Sequence, residues 1–191
     1  MAKREGVTTI LDPAPCRRLA KRILQLVDIL TPNETELAEM TGLPVKTKRD
    51  IERAGEALLQ SGVGEVLATC GGRGVCRLAK RGQQWFPAPR VRAVDTVGAG
   101  DCFNGALASA LSAGLAGDAA IRFAVGAAAR SVIRPGAQPS FPKLKPSADR
   151  WHGGIFSELP DRISCCDIRG EMQSGGGIRI TAPADNVARD T

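Results

Sequence analysis

The chain reads as an α/β fold, a mostly parallel sheet with helices on both faces. Two observations predict it. Short β-branched, apolar runs alternate with stretches of about 10 to 15 residues whose apolar positions recur at helical spacing, the pattern of strand-helix-strand crossovers. Gly, Pro, Asp or Asn closes nearly every run and cuts the chain into elements of suitable length.

Residues 7–11 form the first strand, closed by Asp12-Pro13-Ala14-Pro15. A helix over 16–25 follows, with Leu19, Ile23 and Leu26 on one face and Arg17, Arg18, Lys21 and Arg22 on the other. Residues 27–30 are the next strand. Thr31 as cap, Pro32 in the first turn and Glu34 completing a capping box predict a short helix ending at Gly42. Thr47 with Asp50 repeats the capping pattern, and Ile51, Ala54, Leu58 and Leu59 carry a second helix to Gly62. Residues 65–70 are a strand and 71–74 a tight turn. Residues 75–79 and 85–86 are the arms of a hairpin around Lys80-Arg81-Gly82, and 91–94 a last short strand. Two helices rich in Ala and Gly, 101–113 and 117–133, complete the pattern. Residues 1–146 thus make one domain. From 147 to 191 the sequence has no sustained period and many breakers, which predicts a poorly ordered tail; it holds His152, the sole histidine, read as solvated.

Composition narrows the function classes. Hydrophobic residues make up 43% of the 191 and charged residues 24%, so a packed core is expected. The formal charge is +6, yet the basic residues are scattered and Tyr is absent, which argues against nucleic-acid binding. No uninterrupted apolar run reaches the ~18 residues of a membrane span, and a soluble, cytoplasmic protein is expected. The six cysteines lack the CxxC spacing of a zinc site and read as free thiols.

The strongest chemical signal is Asp95-Thr96-Val97-Gly98-Ala99-Gly100-Asp101, between a strand and a helix. Backbone N–H groups at a helix N-terminus, where the macrodipole is positive, can hold phosphate oxygens, and glycines let the backbone approach them. The turn lacks the Gly-Lys-Ser/Thr of a Walker A loop and the G-x-G-x-x-G of a dinucleotide fingerprint. Phosphoryl transfer needs positioning, charge stabilisation and a base near the attacking hydroxyl. Asp101 suits that base, and equally suits the cap of its helix.

With Cys102-Phe103-Asn104-Gly105-Ala106-Leu107, this turn resembles the C-terminal signature of the ribokinase group of carbohydrate kinases, the phosphofructokinase-B family. Further matches follow in family order: Thr31-Pro32-Asn33-Glu34-Thr35-Glu36, Thr69-Cys70-Gly71-Gly72-Arg73-Gly74 and Arg134-Pro135-Gly136-Ala137-Gln138-Pro139-Ser140, over roughly residues 5 to 145. The resemblance implies a partial doubly wound, Rossmann-like ribokinase fold that lacks the N-terminal half and its β lid. It implies ATP, Mg²⁺ and a monovalent cation, K⁺, as cofactors, and a sugar substrate, with Gly-Ala-Gln-Pro-Ser tilting toward ribose. Full-length members leave room for a homodimer.

The resemblance also implies roles. Asp101 is the general base toward the sugar's primary hydroxyl, and Gly98, Ala99 and Gly100 form the anion hole for the γ-phosphate. Asn33 and Glu36 face the nucleotide phosphates and the magnesium water shell. Thr69, Gly71, Gly72, Arg73 and Gly74 shape the nucleotide pocket, with Val125 near the base. Asp95, Val97, Ser131, Arg134, Gly136 and Ser140 surround the monovalent cation, chiefly through backbone carbonyls. The family's Asn-x-Asp and Gly-Gly-Lys-Gly-Ala-Asn sugar-binding elements do not occur in these 191 residues, so sugar turnover is expected to be weak and one sheet edge open. The contrasting expectation is a non-catalytic nucleotide-binding or interaction module; fructokinase, nucleoside kinase and keto-deoxy-sugar kinase are alternatives within the family.

Overall fold

The computed structural model describes residues 2–15, 19–143, 170–173 and 177–180. The main sheet has the order β1 (Ile10–Leu11), β2 (Ile29–Leu30), β3 (Glu65–Thr69), β4 (Val75–Ala79) and β5 (Gly82–Phe86). β1 pairs in parallel with β2 and β2 with β3, whereas β4 turns back on β3 and β5 on β4. Four of the five strands therefore run the same way, and β4 alone opposes them.

The period of two along the strands sorts apolar side chains onto two faces. In β3, Val66 and Ala68 go to one side and Leu67 to the other. The first side, with Leu30, Cys76 and Leu78, packs against α1 (Lys21–Leu24), α2 (Glu34–Thr41) and α3 (Lys48–Gln60) through Leu24, Leu37, Ile51, Ala54 and Leu58. The second, with Val75 and Phe86, packs against α4 (Ala99–Ser112) and α5 (Gly117–Ser131) through Phe103, Leu107, Ile121 and Phe123. A large apolar side chain buried this fully contributes about 1.5–3 kcal/mol. Buried alanines such as Ala106, Ala110, Ala120 and Ala124 let α4 and α5 approach closely. Arg77 ties the sheet to α5 by pairing with both Glu65 and Asp118.

Three local expectations need correction. The first helix is one turn; Leu24 in it and Val27 just after it are buried, while Ile23 and Leu26 are exposed. The cause is the bonding: Leu26 N–H donates to Ile23 O and Val27 N–H to Leu24 O, so residues three apart eclipse and share a side. Next, Thr31 does not cap α2. Its N–H donates to Leu11 O at 3.0 Å in continuation of the β1-β2 pairing, and the cap passes to Asn33 with Glu36 as its reciprocal partner. Finally, residues 91–94 form no strand. Val94 and Asp95 N–H both donate to Val132 O, which holds this segment toward the end of α5 instead of the sheet.

Gly42 ends α2 in the left-handed conformation, and Thr47 and Asp50 form the expected capping box of α3. Cys70, Cys76 and Cys102 are buried and form no disulfide among the described residues. The expected disordered tail and His152 lie outside the described residues, apart from two short strands, β6 (Gly170–Gln173) and β7 (Gly177–Ile180), which pair antiparallel. Among the described residues no helix is long and apolar enough to cross a membrane.

Candidate active site

The C-terminal ends of β1, β2 and β3 lead into Asp12, Asn33 and Thr69. In open α/β sheets this is the edge at which ligands bind. Asn33 bridges to Thr69 outside the regular strands, and Thr69 N–H donates to Pro32 O at 2.9 Å, so the two segments are locked together. Asn33 Oδ1 accepts the Glu36 N–H at 3.0 Å, and Glu36 Oε2 accepts the Asn33 N–H at 2.8 Å. Glu36 is buried, and burial pushes its carboxyl above the ordinary range; the Asn33 N–H opposes the shift, and the charges of Asp12 and Glu39 add to it.

The turn after β3 is a 3₁₀ segment, Gly71–Arg73, closed by Cys70 N–H to Gly74 O at 2.8 Å and Gly74 N–H to Gly71 O at 3.0 Å. Gly74 has φ +93°, and a Cβ there would lie 2.0 Å from Phe86 O. Only glycine fits. Arg73 pairs with Glu34, which joins the turn to the start of α2.

The Gly-rich turn begins at Asp95. One of its oxygens accepts the Val97 N–H at 2.9 Å and the other the Gly136 N–H at 2.8 Å, so a single carboxylate ties this turn to the loop after α5. Those two hydrogen bonds lower its pKa. Gly98, at φ +79°, packs so closely on Ala137 and Phe141 that a Cβ would approach Ala137 Cβ to 2.9 Å. Ser131 and Ser140 are buried beside this contact, and their hydroxyls donate to Ala128 O and Ala137 O. Arg134 is exposed on the same loop.

Gly98 is the N-cap of α4 and supplies no side chain to cap it. Asp101 lies in the first turn of the helix, so its carboxylate is not the cap. It is exposed and accepts no hydrogen bond among the described residues. Ala99 N–H donates to Thr96 O at 3.2 Å, while the N–H groups of Gly98, Gly100 and Asp101 have no acceptor among the described residues.

Between these parts opens a cavity of ≈ 660 Å³. Val125, Ala128 and Ala129 on α5, with its C-cap Val132, form an apolar wall at helical spacing. Asn33, Thr69, Gly71, Gly72 and Gly74 border it on the strand side, and Ala99 and Gly100 at the start of α4. Arg73, Glu36, Gly98 and Asp101 stand around the cavity without lining it.

The model of the pfkB family of carbohydrate kinases matches residues 1–144. The chain belongs to this family. It is 40% identical over 142 residues to the ribokinase of Haemophilus influenzae, a match covering 74% of this chain and 46% of that protein. The crystal structure of ribokinase from Thermotoga maritima superposes with a TM-score of 0.67 at 43% identity, over 74% of this chain and 48% of that one. Arabidopsis thaliana ribokinase, solved with ribose and ATP, gives a TM-score of 0.68 at 36% identity, over 73% of this chain and 46% of that one. The partial doubly wound ribokinase fold is thereby established, and the chain spans about half the length of the curated relatives it matches.

One acidic residue at the site of this pfkB-family chain escaped the sequence reasoning. Asp12 follows β1, is half-buried, and accepts a 2.7 Å hydrogen bond from Asn104 Nδ2, one turn beyond Asp101 on α4. Burial raises its pKa, countered by the Ala14 N–H, and the nearby Asp101 charge raises it further. Asn104 Oδ1 is buried with no hydrogen-bond partner among the described residues. A signal was available: Asp directly after a strand, at the edge where α/β sites gather, is more than a turn former.

Proposed function

We propose that the chain supplies the nucleotide-holding and phosphoryl-transferring part of an ATP-dependent sugar kinase. Asp101 is the general base, and ribose, giving ribose 5-phosphate, is the favoured acceptor. The observation that carries this is the start of α4, where unengaged N–H groups at Gly98, Gly100 and Asp101 stand beside a free carboxylate, at one end of an apolar cavity of ≈ 660 Å³. The apolar wall with Val125 suits a purine, and the N–H groups with the helix dipole suit the γ-phosphate. Asp101 takes the proton of the attacking primary hydroxyl, and the helix N-terminus holds the charge that develops on the transferring group. Support for a sugar as acceptor comes from the family; support for ribose comes from the ribokinase relatives and the Gly136 to Ser140 loop.

The donor set suits the two implied cations. Asn33 and Glu36 offer hard oxygens, and the burial that disfavours the Glu36 charge makes a nearby divalent cation welcome. Magnesium supplies charge neutralisation at the phosphates when bound. Among the described residues no group of three or more His, Cys, Asp or Glu converges on a metal-sized site. For K⁺, the Asp95 carboxylate and the Ser131 and Ser140 hydroxyls are spent on backbone groups, so these residues, with Val97, Arg134 and Gly136, would hold the ion through carbonyl oxygens. ATP as phosphoryl donor suits a cytoplasmic location.

The test is calorimetry with a non-hydrolysable ATP analogue, followed by a coupled assay with ATP and ribose. Binding at millimolar analogue or below is expected, with turnover well under the ~1–100 s⁻¹ of ordinary kinases, since the sugar-binding elements named above are not in the chain. Asp101→Asn should lower transfer by about 10²- to 10⁴-fold and leave analogue affinity unchanged. No binding at millimolar analogue would overturn the nucleotide site. Equal transfer by both proteins would remove Asp101 as base and favour a non-catalytic nucleotide-binding module.

A further inference from the structure

Two charged residues line the cavity, Glu34 and Arg90. Glu34 is already paired with Arg73, which stands outside the lining. Arg90 is exposed and forms no ion pair among the described residues. The segment that carries it runs from β5 to the Gly-rich turn and is held at both ends. At one end, Phe86 O and Ala88 N abut Gly74; at the other, Val94 and Asp95 N–H donate to Val132 O. Arg90 therefore sits mid-span on an anchored strap along the cavity wall, flanked by Pro89 and Val91, which also line it.

If the cavity takes ATP, as proposed above, the triphosphate brings several negative charges into a site whose remaining lining is apolar or neutral, and no P-loop lysine is present to meet them. A guanidinium carries five donors in a fixed fork that matches phosphate oxygens, and an unpaired one needs no competing ion pair broken first. We infer that Arg90 is a nucleotide-binding residue, whose guanidinium closes on the polyphosphate from the strap side, opposite the backbone donors of α4. Arg90 thus favours ATP over adenosine, while the apolar wall binds the base of both.

The experiment is calorimetry on the full chain with two probes, the imido analogue of ATP with magnesium and adenosine alone, for wild type, Arg90→Ala and Arg90→Lys. Because Arg90 is exposed and unpaired, thermal melts should show the variants folded. Arg90→Ala should weaken the analogue about tenfold, the lower range for a hydrogen bond to a charged group, with adenosine changed less than about twofold. Arg90→Lys should restore part of the loss, and added salt should weaken the wild type more than Arg90→Ala. Unchanged analogue affinity in Arg90→Ala, or an equal loss for both probes, would overturn the assignment, the second outcome placing Arg90 against the base. A wild-type chain that binds neither probe would sink the ATP site itself and Arg90's role with it.

Discussion

The two sides of the α4 N-terminus are built differently. On the cavity side, each turn is pinned by hydrogen bonds: Asn33 with Glu36, Cys70 with Gly74, and Asp95 with Val97 and, across to the loop after α5, with Gly136; glycines stand where a Cβ would collide. On the other side, toward β1 at the sheet edge, a half-buried carboxylate at Asp12 feels the charge of Asp101, and Asn104 Oδ1 is buried without a partner among the described residues. Polar groups already paired hold their geometry without further assembly, whereas a buried acceptor without a partner among the described residues and a carboxylate disfavoured by burial leave the other side under strain. The proposed nucleotide half-site is therefore expected to form unaided, and the proposed acceptor side carries the strain.

The largest blow to the finished side is Gly74→Ala. Its Cβ would fall 2.0 Å from Phe86 O and 2.6 Å from Ala88 N, both backbone atoms, at a φ that disfavours any side chain. The left-handed backbone and the forced repacking together cost about 3 kcal/mol, a drop in melting temperature of roughly 10 °C, with loss of analogue binding. Gly72→Ala is the control. Nothing lies within 4 Å of its Cβ, so the melt should not move, and any change in binding would report on the ligand. An unaltered melt for Gly74→Ala would show that the turn is softer than its packing implies.

A smaller effect is expected at Asp95. Its pKa is lowered by the N–H groups of Val97 and Gly136, so its contribution is present above the ordinary Asp range and is lost as pH falls through the depressed value. Acidification toward pH 3 should open the 95–98 and 134–136 loops before the sheet melts, read by hydrogen exchange at Val97 and Gly136. Asp95→Asn keeps one carbonyl oxygen where two were used, and should expose the Gly136 amide already at pH 7. Protection of both amides in Asp95→Asn would show that Gly98 packing, not the carboxylate, joins the loops.

How much of this was legible beforehand differs between the two sides for a physical reason. Turns that close locally leave local signatures: Thr47 and Asp50 are three residues apart, and Gly71, Gly74 and Gly98 announce positive φ through composition. The helix ending at Gly42 is legible, but the local pattern points to Thr31 as cap and Pro32 as start, whereas Asn33 caps a helix that starts at Glu34, because the partner that claims Thr31 is Leu11, twenty residues away. Residues 91–94 have a strand's composition, yet the carbonyl of Val132 takes the N–H groups of Val94 and Asp95, and no local rule can foresee that. Asp12 is the extreme case. Its partner Asn104 is 92 residues distant, so it read as a turn residue next to prolines.

Asp12→Asn tests the strained side with the smallest expected change. Asp12 has its pKa raised, first by burial and then with help from the Asp101 charge, so the folded chain binds a proton there more tightly than the unfolded chain does. Stability from this group is full below the unfolded pKa near 3.8 and falls as pH rises through the folded value, so at pH 7 the ionised carboxylate is a net cost. An asparagine keeps an oxygen for the Asn104 Nδ2 donor and removes the charge. The variant should melt about 1–3 °C higher than wild type at pH 7, a gain that shrinks toward pH 4 where the wild-type proton is regained. A lower melting temperature at pH 7 would mean that the charge-assisted hydrogen bond from Asn104 outweighs desolvation, and the acceptor side would then be as settled as the nucleotide side.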